Sequence, residues 1–119
     1  MQNRTDLSER LLEFAASSIK LTVKLKRTAV GRYIASQLMR AASSSGANYE
    51  EACGAESKAD FIHKMQLVLK ELRESLYWLK LLKRTDLIPV KELQPLLDEA
   101  DELIKVVAKS VVTAKRRRK

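Results

Sequence analysis

One histidine and one cysteine are all that this chain of 119 residues can set beside its carboxylates for catalysis or metal binding, and their spacing argues against both. His63 ends the run Asp60-Phe61-Ile62-His63, a weak approximation to a Glu-x-x-His element. Two-metal carboxylate sites in helix bundles need two such elements, because each metal takes its own imidazole beside bridging carboxylates. An exposed or rim position is therefore expected for His63. A Cys53–His63 nucleophile pair would need both side chains within hydrogen-bond reach and an oxyanion site, and nothing in the spacing supplies either. Cys53 is expected to act as a small apolar residue, and as a lone cysteine it forms no internal disulfide. Gly31, Gly46 and Gly54 are isolated and follow no predicted strand, so no phosphate-cradling loop is present. Neither an enzyme nor a cofactor is expected.

Basic side chains are the remaining chemistry. The formal net charge is +8, from 23 Lys and Arg against 15 Asp and Glu. Such an excess attracts phosphate on nucleic acid or on an anionic membrane surface. Residues 1–27 carry +3, 28–55 are neutral, 56–85 carry +3, 86–114 carry −3 and 115–119 carry +5. Two groups stand out. Lys20, Lys24, Lys26 and Arg27 sit near one predicted helix end and Lys80, Lys83 and Arg84 near another, while Lys115, Arg116, Arg117, Arg118 and Lys119 close the chain. The closing run either binds phosphate without directionality or is a solvated, disordered tail. Aromatic residues make up 5% of the chain, which favours backbone or duplex contact over stacking on unpaired bases.

Helices must position these groups. The chain length suits one domain, and its scarcity of glycine and aromatic residues beside abundant Leu, Ala, Lys and Glu favours an all-α fold. Leu7, Leu11, Phe14 or Ala15, Ile19 and Val23 recur at three- and four-residue steps, predicting a helix over 6–26 with Thr5 or Asp6 as N-cap and Glu9 in capping-box position. For residues 29–54, Ser43-Ser44-Ser45-Gly46 leaves loop and continuous helix both open, since small residues punctuate chains and also let helices approach closely. If helical, the segment buries Val30, Ile34, Leu38, Ala41 or Ala42, Ser45, Asn48 or Tyr49 and Ala52, with Gly54 at its stop. Ser57 reads as the cap of a third helix over 58–84. A fourth over 90–115 shows Leu93, Leu96 or Leu97, Ala100, Leu103 or Ile104, Val107 and Val111 on one face, with Asp98, Glu99, Asp101 and Glu102 opposite. Short connections predict an antiparallel up-down-up-down four-helix bundle over 1–114, with 115–119 as the tail. The ends of the first and third helices then share one end of the bundle, and the tail lies at the other.

The third helix carries more apolar surface than a core requires. Phe61, Met65, Val68, Leu69, Leu72, Leu76, Leu79 and Leu82 suffice for one face. A second line, Leu67, Glu71, Glu74, Trp78 and Leu81, runs down another side and is a candidate subunit interface. Glu71 and Glu74 either pair with Arg32, Arg40, Lys64 or Lys70 or stand in solvent.

Three blocks carry a family likeness: Arg40-Ala41-Ala42-Ser43-Ser44-Ser45-Gly46-Ala47-Asn48-Tyr49-Glu50-Glu51-Ala52, Ser57-Lys58-Ala59-Asp60-Phe61-Ile62-His63-Lys64, and Lys70-Glu71-Leu72-Arg73-Glu74-Ser75-Leu76-Tyr77-Trp78-Leu79-Lys80-Leu81-Leu82. They resemble the bacterial 23S rRNA intervening-sequence proteins, four-helix bundles related to the accessory variability determinant of diversity-generating retroelements. The resemblance implies that the serine-rich stretch is helical, that the chain forms a homo-oligomer with a ring of five as the best-known arrangement, and that its partners include nucleic acid, RNA favoured, or a nucleic-acid enzyme. A structural or protein-interaction scaffold whose charge serves solubility is the alternative. No apolar run approaches the ~20 residues of a membrane span, Met1–Asp6 lacks a signal peptide's apolar stretch, and a cytoplasmic location with no membrane partner is expected.

Overall fold

A computed structural model describes residues 4–117, and among them every regular element is helical: α1 (Arg4–Thr22), a short 3-10 turn (Val23–Leu25), α2 (Ala29–Cys53), α3 (Lys58–Arg84) and α4 (Val90–Arg116). The molecule measures 51 × 22 × 21 Å, as expected when 27-residue helices of about 40 Å lie side by side. Successive helices pack against each other and α4 returns to α1, giving the up-down-up-down bundle.

Local chemistry sets the helix ends. The Thr28 side chain accepts a hydrogen bond from the Gly31 N–H at 2.9 Å, and the Ser57 side chain accepts one from the Asp60 N–H at 3.0 Å; each satisfies a donor that the first helical turn cannot. The connection into α2 is tight enough to require glycine. A Cβ at Gly31 would lie 2.2 Å from the Leu25 carbonyl oxygen. Gly54 caps the end of α2. Pro89 precedes α4, and Pro95, whose ring nitrogen has no hydrogen to give the Lys91 carbonyl, sits in the second turn without ending the helix.

The serine-rich stretch is continuous helix and is packing surface. Ala41, Ala42 and Ser45 are buried, and a Cβ placed on Gly46 would rest 3.7 Å from that of Leu11, so α1 lies close against α2 there. Leu11, Phe14, Leu38, Met65, Leu72, Leu79, Leu82, Leu93, Leu103 and Val107 fill the centre. The buried hydroxyls of Ser45 and Ser75 donate to the Ala42 and Glu71 carbonyls within their own helices.

Several sequence expectations need correction. Ile19 and Val23 face outward, and Ser18, Leu21, Thr22 and Leu25 continue the core line instead, because the stripe set by Leu11 and Phe14 advances through polar side chains that apolar periodicity skips. Val30 is exposed, and Gly31 takes the inward position. Thr5 and Asp6 lie within the first turn of α1 rather than at its cap. α4 runs through Arg116, so Lys115 and Arg116 form its last turn and Arg117 its C-cap.

Candidate functional site

Cross-helix bonds fix which charged groups share an end. Ser8 on α1 donates to Glu50 on α2, and Lys58 donates to the Arg117 carbonyl, so the start of α1, the end of α2, the start of α3 and the end of α4 meet at one end. Lys24 bonds Glu92 at the other. There, Lys20, Lys26, Arg27, Lys80, Lys83 and Arg84 are all exposed, as expected, and make no ion pair among the described residues; Lys24 is exposed but held by Glu92. Arg32 joins them, donating to the Lys26 carbonyl at 3.0 Å and thereby pinning the connection, and Lys91 adds a further exposed cation.

The opposite end is mixed. Lys115, Arg116 and Arg117 are exposed, but Glu50, Glu51, Glu56 and Asp60 belong to the same end, and Lys64 is held by Glu51 at 2.6 Å. That hydrogen bond, with the charges of Glu51 and Asp60, raises the Lys64 pKa above its ordinary value. Arg118 and Lys119 lie outside the described residues.

The line Leu67, Glu71, Glu74, Trp78 and Leu81 is half-buried and lies along the junction with α2. Of the four cations considered for the two glutamates, Arg40 is the partner. It donates to Glu71 at 3.3 Å and also to Glu74, and Gln37 accepts a third bond from the same guanidinium at 3.2 Å. The Trp78 indole N–H donates to Glu74 at 3.0 Å, and its ring meets Tyr33 and Tyr77 edge-on, with centroids 5.9 and 5.0 Å apart. Trp78 and Leu81 pack against the core. Much of the surplus surface inferred for this helix is therefore met within the chain.

Helical spacing on the polar side of α3 adds Arg73 and Tyr77 to cations already singled out from the sequence. Lys70, Arg73, Tyr77, Lys80 and Arg84 follow each other at steps of three, four, three and four and are all exposed, with His63 and Gln66 continuing the row.

Between α1 and α4 runs a cleft of about 490 Å³, floored by Phe14, Leu21 and Leu96 and crossed by Arg10, which grips Glu99 through Nε and Nη2 at 3.0 and 2.8 Å. The Glu99 hydrogen bond raises the Arg10 pKa above its ordinary value against a smaller opposing effect of burial. Cys53 is half-buried against the core and His63 is exposed. Among the described residues no three His, Cys, Asp or Glu converge to hold a metal ion, and no helix is long and apolar enough to cross a membrane.

The family model described as 23S rRNA-intervening sequence protein matches residues 4–109. The fold is similar, at a TM-score of 0.80 and 33% identity, to the crystal structure of a protein with unknown function from the S23 ribosomal protein family of Bacteroides thetaiotaomicron VPI-5482. The match covers 88% of this chain and 97% of that one. No curated protein matches the chain.

Proposed function

This chain belongs to the family of 23S rRNA-intervening sequence proteins, and from that membership and the layout of its cations we propose that it is a non-enzymatic nucleic-acid-binding protein, RNA in preference, acting through phosphate contacts. The carrying observation is the cluster of exposed cations at one end of the bundle that form no ion pair among the described residues: Lys20, Lys26, Arg27, Lys80, Lys83 and Arg84. Like charges gathered on one surface raise the free energy of the free protein and are relieved by a polyanion, whose condensed counterions are released.

Binding to a structured RNA over a salt series tests this reading. The chain with Lys80→Ala, Lys83→Ala and Arg84→Ala together is expected to bind more weakly, with the slope of log K against log salt flattened by about 2 to 3, since each lost phosphate contact removes about 0.9 on duplex. Ending the chain at Ala114 is expected to matter less, because the acids at that end already offset its cations. No binding by the folded protein at low salt would sink the reading and leave the scaffold alternative.

A second reading, assembly with copies of itself, is favoured by a different surface. Leu12 and Ile19 on α1, Val23 in the turn that follows it and Met39 on α2 are exposed. Helical spacing places Leu12 and Ile19 on the Ser8 side of α1 and Met39 on the Glu50 side of α2, the two sides that the Ser8–Glu50 bond joins. The ring of five implied by family likeness belongs to this reading, and the mass in solution measures it.

A further inference from the structure

The exposed row on α3 does more than add charge, because an aromatic platform interrupts it. Lys70 and Arg73 precede Tyr77, and Lys80 and Arg84 follow it, over about 21 Å of helix. No acidic residue occupies the row. The two carboxylates beside it, Glu71 and Glu74, share Arg40, which offsets one of their two negative charges. Tyr77 is 57% exposed and Tyr33, on the neighbouring helix, 58%. Both rings are held in place: each meets Trp78 nearly at right angles, at 77° and 84°, and Trp78 is itself tied to Glu74 by its indole N–H.

Two large aromatic side chains left in water this way are unusual for a chain with six aromatic residues in all. Ordering them in advance lowers the entropy lost on binding a flat ligand, and cations on both sides of Tyr77 favour a ligand that carries charge along its backbone and flat rings beside it. An aromatic face between cations is the arrangement by which proteins hold single strands, stacking bases while cations follow the phosphates. Duplex, whose bases are stacked on each other, cannot use the tyrosines.

We propose that the α3 row Lys70, Arg73, Tyr77, Lys80 and Arg84, with Tyr33 and buttressed by Trp78, is a track for single-stranded nucleic acid, in which unpaired bases stack on the two tyrosines and the cations contact the phosphates. This reverses the preference for duplex drawn from the small aromatic content: what matters is that three of the six aromatic side chains meet at one place beside the basic end. The inference rests on the nucleic-acid reading above and narrows it to strands or loops with unpaired bases.

The test compares three probes with the full chain: an oligouridylate of about 12 nucleotides, an abasic strand of equal length and charge, and a duplex of equal length. Trp78 is the single tryptophan and touches Tyr77, so its fluorescence reports stacking directly. The oligouridylate is expected to bind about tenfold more tightly than the abasic strand and to change the tryptophan emission. Tyr77→Leu with Tyr33→Leu is expected to abolish that tenfold difference while leaving abasic-strand affinity unchanged. Both rings are more than half exposed, so the variant keeps its core, and its helical circular dichroism and thermal midpoint verify this. Equal affinity for the base-bearing and abasic strands, or a tyrosine variant that still distinguishes them, would overturn the track and leave a phosphate binder. Absence of binding to all three probes would overturn both readings. A fall in solution mass on tyrosine substitution, without the loss of base preference, would instead make this face a contact between copies.

Discussion

The junction of α2 with α3 and the junction of α1 with α4 are both closed by arginine and glutamate, yet only the first is sealed. At α2–α3 one guanidinium serves two carboxylates, a tryptophan bonds one of these, and ring contacts continue the junction toward the basic end. At α1–α4 Arg10 bonds Glu99, Lys24 bonds Glu92, and a cleft runs between the helices. An ion pair therefore contributes according to what surrounds it. Where one cation serves two carboxylates, its loss strands both; where it serves one, a single carboxylate is left behind.

The sharpest way to break this comparison is Arg40→Ala. Glu71 has a side chain only 13% exposed, and Glu74 lies one turn further along the same face, so the variant leaves two neighbouring carboxylates without their cation. A loss of about 2 kcal/mol in urea unfolding is expected, below the 3–5 kcal/mol of a fully buried pair because Arg40 itself is half in water. A loss under about 0.5 kcal/mol would mean the junction is held by its apolar contacts alone.

How much of this contrast was legible in the sequence follows from which signals are periodic. The first, third and fourth helices were readable from apolar periodicity and Ser57 stands where a cap belongs, whereas the continuity of α2 through Ser43-Ser44-Ser45-Gly46 followed only from the family likeness, because small residues serve turns and close helix contacts alike. Arg40 was one of four cations within plausible reach of Glu71 and Glu74, and only the lateral placement of α2 on α3 selected it. The outward turn of Ile19 and Val23 was hidden, since Ser18 and Thr22 hold the inward positions and Ser18 does so without a hydrogen-bond partner for its hydroxyl. The basic end was legible as charge. The tyrosine platform was not, because Tyr33 and Tyr77 are 44 residues apart and meet only through Trp78.

A smaller effect is expected from Arg10→Ala, about 1 kcal/mol by the same measurement, since the two-pronged geometry exceeds that of an ordinary surface pair while only one carboxylate is left behind. A raised arginine pKa stabilises the fold fully below the ordinary arginine value and ceases to do so only as pH rises through the raised one. Titration of Arg10 thus contributes nothing to pH dependence near neutrality. An Arg10/Glu99 double-mutant cycle giving as large a coupling as Arg40/Glu74 would erase the distinction between the two junctions.

Lys24→Ala is expected to cost least, about 0.3 kcal/mol or nothing measurable, because the lysine is 54% exposed, flexible and opposed by a single carboxylate at the rim of the cleft. The same substitution separates stability from function. Glu92 now holds Lys24 back from any phosphate, so removing the lysine frees an acid at the basic end and should weaken RNA binding more than the loss of one idle cation would. Glu92→Gln should do the reverse, releasing Lys24 and strengthening binding at low salt while leaving the urea midpoint nearly unchanged. If both variants altered folding by more than about 1 kcal/mol, the α1–α4 junction would be as well sealed as α2–α3, and the cleft would be closed in solution.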